Sequence, residues 1–322
     1  MKECTFALFL FFRRNLSPKT VGHISLATVA IIYGANYIIA KSVMPNPIGP
    51  NSFILLRVAG ACILFWIIAF RKIQIPLKRD WPRFIFCGIC GVATNQLFFF
   101  NGLSLTSPIN ASIIMTSNPL LVMLISAWFL QHKITTTKVI GLIIGGAGAL
   151  TILLTSKYDA SHHSSSLGDA FILINSTSWA FYLVTVKPLF SRYSPMTITA
   201  WVFLIGLCIV TPISISDAQT VAWSSLTSWQ WFAVGYVIVA VTFLTYLLNM
   251  IGIHRLSPTL ASVYIYFQPL LAGIFAWLFS YFLDEDFTHD ITWLKIACGG
   301  LIILGVYLVS KAENKTTNAV TR

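Results

Sequence analysis

The chain has 322 residues, of which 57% are hydrophobic and only 10% charged. Soluble domains typically carry about 25% charged residues, so a large soluble all-α enzyme is excluded on composition. The net charge of +11 does not indicate nucleic acid, because the basic residues sit in short segments between long apolar runs, which is the orientation signal of membrane proteins.

Residues 1–20 come first, with an apolar stretch at 4–12 followed by Arg13, Arg14 and Lys19. Nine residues are too short to span a bilayer, which takes about 20. No small-residue cleavage site follows, so the segment reads as a cytoplasmic extension. Ten apolar runs then follow, at 21–41, 52–70, 84–103, 108–130, 137–155, 168–187, 197–215, 231–252, 258–283 and 292–310. Backbone groups in lipid must pair within their own segment, so these runs are predicted to be helices. Barrel strands would be about 10 residues long and alternate in polarity. Residues 156–167 read as an extracytoplasmic linker and 311–322 as a cytoplasmic tail.

Seventeen of the 21 lysines and arginines fall before the first run, after the last, or in the segments between runs and at run ends on one side. The opposite side holds Asp159, Asp217, Asp284, Glu285, Asp286 and Asp290. The positive-inside rule places both termini in the cytoplasm of a multi-pass protein of the inner (cytoplasmic) membrane. Cys62, Cys87, Cys90, Cys208 and Cys298 lie inside apolar runs and read as small packing residues, with no metal and no cofactor implied.

An internal repeat is visible. SPINASIIMTSNPLL from Ser107 matches SPTLASVYIYFQPLL from Ser257 at a constant offset, as Gly102 matches Gly252. Gly22, Lys41, Gly60 and Cys62 match Gly168, Lys187, Gly206 and Cys208 at a second offset. Each half, 21–155 and 168–310, holds five runs. Five is odd, so the second half enters the membrane from the other side. Inverted repeats are a transporter architecture with a solute site near the midplane. The expected fold is therefore an all-α integral membrane protein of ten helices in two inverted five-helix repeats.

These residues resemble the EamA-type family of the drug/metabolite transporter superfamily. The first run carries YGANYIIAK (Tyr33 to Lys41), similar to the family's aromatic-Gly-x-Asn-aromatic pattern. The second carries LLRVAGACILF, similar to its Arg-containing helix, and runs four and nine carry SPxxASxxxxxxPLL. The resemblance covers about residues 21–310. It implies transport of a small metabolite, such as an amino acid, nucleobase or vitamin, by alternating access, with export the expected direction. The second half departs from the pattern, having Trp179 and Ala180 where the first has Tyr33 and Gly34.

Polar side chains inside lipid are costly and usually face a cavity or a partner helix. Tyr33, Asn36 and Tyr37 share one face of the first run. Asn95 and Gln96 lie on the third, Ser112, Thr116 and Asn118 on the fourth, Trp179 and Tyr182 on the sixth, Tyr246 on the eighth, and Ser262, Tyr266 and Gln268 on the ninth. All are candidate solute contacts. Asn36→Ala and Tyr266→Ala are expected to impair transport without unfolding. Pro119 and Pro269 each remove a backbone donor and are expected to kink runs four and nine symmetrically. Arg57 inside the second run, at a cost of about 2.5–3.5 kcal/mol on insertion scales, reads either as an anchor or as a contact for a solute carboxylate. Lys41 and Lys187 are gate or anchor residues.

No Asp or Glu lies well inside a run, which argues against cation/proton antiport through an intramembrane carboxylate. An intramembrane enzyme finds no support, since no HExxH pair or Ser/His/acid set lies within the runs. A sugar-phosphate or nucleotide-sugar exchanger would require several basic side chains in the cavity, and only Arg57 qualifies. Partners are a small-molecule solute and the lipid bilayer, with no nucleic acid. The glycine-rich runs five and ten, GLIIGGAGAL and CGGLIILGVYL, are expected to pack peripherally, with their smooth faces offered for a homodimer.

Overall fold

The computed structural model of the chain describes residues 17–41, 48–70, 72–105, 114–115, 117–131, 134–155, 166–268, 270–271, 274–275, 278 and 293–320. The described residues are helical, with no strand among them. The helical stretches are α1 (Pro18–Lys41), α2 (Pro50–Ala69), α3 (Lys78–Leu105), α4 (Asn118–Phe129) and α5 (Thr136–Thr155). They continue with α6 (Ser166–Ser191), α7 (Pro195–Gln219), α8 (Ser228–Arg255), α9 (Pro258–Val263) and α10 (Trp293–Val320). Of these, α2, α3, α6, α7 and α8 are each long and apolar enough to cross a membrane, and shorter apolar helices cover Asn118–Phe129, Thr136–Gly148 and Ala297–Val309.

Local chemistry sets the helix starts. Pro50, Pro195 and Pro258 each occupy the first turn, where a missing N–H costs nothing. The Ser194 and Ser257 hydroxyls accept from the Thr197 and Leu260 amides, both at 3.1 Å. The second Ser-Pro pair of the repeat is thus a helix-start signal. Thr227 and Gln230 form a capping box before α8.

Two helices are not α-helical throughout. In α3 a π-helical segment spans Ile89–Thr94, and in α8 another spans Val237–Leu244. These are the third and eighth runs, the same position in each half of the chain. A π segment widens the helix and releases carbonyls from the i−4 ladder, and such segments recur at functional sites.

The packing of the two halves is reciprocal. The most extensive contacts are α5 with α10, α2 with α7, α3 with α6 and α1 with α8. Glycines mark the close approaches. A Cβ on Gly60 would come within 2.6 Å of Ile238, and one on Gly206 within 2.4 Å of Val92. Likewise Gly102 abuts Ile172 and Gly252 abuts Leu26. In each pair of contacts, a glycine from one half receives a side chain from the other.

The main core gathers α2, α3, α6, α7 and α8 around Phe65, Phe84, Tyr182, Phe203 and Tyr246. A second, smaller core joins α5, α9 and α10 around Leu142, Tyr266 and Ile302. The α5–α10 contact uses the glycine-rich stripes, since a Cβ on Gly305 would lie 2.6 Å from Gly145 Cα. The smooth faces expected to support a homodimer therefore meet each other within the chain, and the outward faces carry exposed Ile143, Ile303, Leu304 and Tyr307 instead.

At the end of the bundle where α3 and α7 begin, the α2–α3 loop is tied to the α6–α7 loop. The Arg192 Nη1 donates to Asp80 Oδ1 at 2.7 Å, and the Tyr193 hydroxyl donates to Asp80 Oδ2 at 2.8 Å while accepting from the Leu77 amide at 2.9 Å. Trp201 Nε1 donates to the Gln74 carbonyl and its ring is met edge-on by Trp66 and Trp81. At the other end, Asn51 Nδ2 donates to Asp217 Oδ2 at 2.7 Å, and Asn101 Nδ2 donates to Asn51 Oδ1 at 2.9 Å.

Candidate functional site

The π segments of α3 and α8 face a cluster to which α1, α2, α6 and α7 each contribute. Tyr246, 1% exposed, sits just after the π segment of α8. Its hydroxyl donates to the Gly91 carbonyl at 2.8 Å, inside the π segment of α3, and accepts from Gln96 Nε2 at 2.8 Å. Gln96 Nε2 also donates to Asn95 Oδ1 at 3.1 Å. Two further side chains reach α3 carbonyls from α6: Ser178 Oγ donates to Cys90 O and Asn175 Nδ2 to Asn95 O, both at 2.7 Å. A buried carbonyl in lipid must find a donor, and here the donors come from the other half of the chain.

Gln96 and Tyr246 are 150 residues apart. Ser107 and Ser257, and Gly102 and Gly252, have the same separation. The central hydrogen bond therefore joins two positions that the repeat makes equivalent, as expected where a two-fold relation between the halves passes through the cluster.

An aromatic wall surrounds this bond. Trp179 meets Tyr246 edge-on with ring centres 5.5 Å apart and lies 5.1 Å from Tyr182. Phe203 meets Tyr246 edge-on at 4.7 Å. Edge-to-face pairs of this kind are worth roughly 0.5–1.5 kcal/mol beyond their buried area. Tyr182 is fully buried, its hydroxyl 3.2 Å from Met250 Sδ. Its ring lies against Gly91, where a Cβ would come within 2.5 Å of Cδ2. Trp179, Tyr33, Asn36 and Asn95 are only half-buried.

Arg57 completes it. The side chain is 6% exposed. Its Nε donates to Thr242 Oγ1 at 3.1 Å, and the guanidinium carbon lies 4.9 Å from the centre of the Phe100 ring. Thr242 Oγ1 in turn donates to the Val237 carbonyl five residues back, at 2.8 Å, within the π segment. Thr245 Oγ1 donates to the Val241 carbonyl and lies 3.3 Å from the Tyr33 hydroxyl. Asn36, one turn beyond Tyr33, has a buried Oδ1 with no partner among the described residues.

The structure thus brings together Tyr33, Arg57, Asn95, Gln96, Trp179, Tyr182 and Tyr246. It adds Thr242, Thr245, Phe100, Phe203 and Asn175, which sequence reasoning did not single out. Extending the repeat offset by eye from Gly102 and Gly252 back to Gln96 and Tyr246 would have paired the two central residues. The π segments have no comparable mark in the sequence.

Of the other expected contacts, Tyr266, Ser262 and Asn118 are engaged elsewhere. Tyr266, 3% exposed, turns toward α5, where its ring fills the space left by Gly145 and Gly146. The only bond described for its hydroxyl is a weak one, 3.5 Å from the Leu142 carbonyl. It packs within the second core, where Tyr266→Ala opens a cavity. Ser262 Oγ donates to the Thr259 carbonyl at 2.8 Å within its own helix. Asn118, fully buried, donates to the Ser176 carbonyl at 2.8 Å and binds α4 to α6. Gln268 is buried just past a 3₁₀ turn at Tyr264–Tyr266, on the stretch flanked by Phe267 and Leu270 of the second core.

Lys187 is an anchor of a specific kind. Its Nζ donates to the carbonyls of Ile253, His254 and Leu256 at the end of α8, which caps that helix with a cation where its dipole is negative. Pro119 sits in the first turn of α4, two residues after a turn at Ser117. Ser112, Thr116 and Pro269, together with the side chains of Tyr37 and Lys41, lie outside the described residues. Cys62, Cys87, Cys90, Cys208 and Cys298 are free thiols, and no group of three or more metal-ligating side chains occurs among the described residues.

Apolar helices of membrane-spanning length with a buried polar layer between them define a multi-pass membrane protein. A model of the EamA-like transporter family matches residues 20–154 and again 166–311, and the chain belongs to that family. It is 24% identical over 303 residues to the uncharacterized transporter YyaM of Bacillus subtilis, covering 92% of this chain and 98% of that one. It is 28% identical over 296 residues to an uncharacterized transporter of Archaeoglobus fulgidus, covering 90% and 95%. A solved crystal structure of a protein 19% identical shares the fold, with a TM-score of 0.71 over 93% of this chain and 98% of that chain.

Proposed function

We propose that this chain carries a small metabolite across the cytoplasmic membrane by alternating access, with the Tyr33–Arg57–Gln96–Trp179–Tyr246 cluster as its solute site. In this reading ten spans form two inverted five-helix repeats, both termini are cytoplasmic, and the expected direction is export. One observation carries the reading: the hydrogen bond between the repeat-equivalent Gln96 and Tyr246, set between two π-distorted helices from opposite halves. A site on the pseudo-two-fold relation is reachable from either side when the halves exchange conformations. Because π turns hold their carbonyls less tightly, the helices next to the site are the ones best suited to bend.

The lone arginine favours an amino acid, nucleobase, vitamin or similar metabolite over a sugar phosphate or nucleotide sugar, whose phosphates would require more than one cation. In an oligomer, any homodimer would use the outer faces of α5 and α10. The test is a counterflow screen in proteoliposomes over amino acids, nucleobases, vitamins and sugar phosphates, repeated with Trp179→Ala and Asn36→Ala. A non-phosphorylated solute transported by the wild type and lost in both variants supports the site. Full transport by both variants removes it.

A further inference from the structure

We infer that the solute class is a small monocarboxylate with a planar, aromatic or otherwise apolar body, its carboxylate held by Arg57. The inference rests on the reading of the central cluster as the solute site and specifies the charge that site accepts.

The first observation is a buried cation with no counter-ion among the described residues. Arg57 is 94% removed from solvent, being 6% exposed, and a guanidinium remains charged at any pH a protein meets. Among the described residues its partners are the Thr242 hydroxyl, which takes Nε, and the Phe100 ring. The Nη edge, which makes the two parallel bonds of a carboxylate fork, has no described partner. The carboxylates whose side chains are described lie elsewhere: Asp80 with Arg192 and Tyr193, Asp217 with Asn51, and Asp169 in the first turn of α6. Asn51, which holds Asp217, is six residues before Arg57 on α2, about 9 Å along the helix at 1.5 Å per residue. A buried charge without a counter-ion is a costly arrangement in lipid and marks a functional site by default.

The second observation is the neighbourhood. Trp179, Tyr182, Phe203 and Tyr246 pack ring against ring, with centres 4.7–5.5 Å apart along Phe203–Tyr246, Tyr246–Trp179 and Trp179–Tyr182. Tyr182, Phe203 and Tyr246 are buried and hold the half-buried Trp179 in place. The exposed part of that indole is a face for a flat apolar body. A single guanidinium matches a monoanionic carboxylate, and no second cation stands in the described cluster to hold a phosphate dianion.

The experiment measures thermal stabilisation of the purified full-length protein by 3-phenylpropionate, 3-phenylpropanamide, phenethylamine and phenyl phosphate. The wild type should be stabilised by phenylpropionate at least tenfold more potently than by the amide, the amine or the phosphate. Arg57→Gln should abolish that preference, and Arg57→Lys, which keeps the charge without the fork, should weaken it. If Arg57→Gln does not fold, the acid-to-amide comparison on the wild type decides by itself. Equal potency of acid and amide, tighter binding of the phosphate, or no stabilisation by any of the four overturns the assignment. Stabilisation by the amide or amine that Trp179→Ala abolishes removes the carboxylate class but leaves the solute site standing. Stabilisation by phenylpropionate that survives both Arg57→Gln and Trp179→Ala places binding elsewhere and removes both.

Discussion

Tyr246→Phe is the sharpest probe of the central contact, because it deletes one oxygen and keeps the ring. The ring contacts with Trp179 and Phe203 survive, so packing is unchanged. Two hydrogen bonds of 2.8 Å disappear, one to the Gly91 carbonyl and one from Gln96. Gln96 keeps its bond to Asn95 Oδ1 at 3.1 Å, so its amide is only partly orphaned. The Gly91 carbonyl lies in a π segment and loses the side-chain donor described for it. Interhelical side-chain hydrogen bonds in membranes are worth on average about 0.6 kcal/mol and at most about 1.7. Two of them give an expected loss of roughly 1–3 kcal/mol. Gln96→Leu removes one of the same bonds, so the double variant should lose about 1 kcal/mol less than the sum of the singles. Unfolding titrations in mixed micelles of wild type, both singles and the double measure this cycle. A wild-type midpoint for Tyr246→Phe, or strict additivity in the double, would refute the claim that the two halves are joined through this pair.

Tyr266 gives the opposite pattern. Tyr266→Phe removes only a bond of 3.5 Å and should leave the unfolding midpoint unchanged, whereas Tyr266→Ala, by opening a buried cavity, should cost about 3–5 kcal/mol. Gly305→Leu places a side chain where a Cβ already lies 2.6 Å from Gly145 Cα. It should separate α5 from α10 and sharply lower expression and melting temperature, while the same change at Gly300, which faces open space, should not. Asp80→Asn weakens the tie between the α2–α3 and α6–α7 loops and should lower the melting temperature. Arg192→Ala should then have a smaller effect combined with Asp80→Asn than in the wild type, because both act on one network.

Much of this architecture is legible from hydropathy, because a helix in lipid must be apolar along its length. Eight of the ten expected runs begin within three residues of a described helix start, the third begins inside α3, and the fourth has its early part outside the described residues. The repeat is legible at Ser257–Pro258 for a local reason, since that pair starts a helix. What the sequence conceals is direction and backbone. Tyr246 and Tyr266 are both aromatic residues of apolar runs, yet one faces the centre and the other packs on Gly145 and Gly146. Helical periodicity gives a face, but which neighbour that face meets depends on how the helices pack. The π segments at Ile89 and Val237 consist of ordinary apolar residues. The α3 segment takes donors from Tyr246 and Ser178 of the other half, which no local pattern reveals, while the α8 segment takes donors from its own Thr242 and Thr245. Arg57 stands out in the sequence as a charge within an apolar run, but its choice of Thr242 and Phe100 rather than the membrane surface required the fold.

Labelling a single cysteine at residue 36, Asn36→Cys in a background free of native cysteines, tests the central claim most directly. With a membrane-impermeant thiol reagent applied to oriented vesicles, residue 36 should react from each side, whether or not the substitution stops transport. If residue 36 is unreactive from both sides, the solute does not pass through the layer between Tyr33 and Tyr246, and the account is wrong.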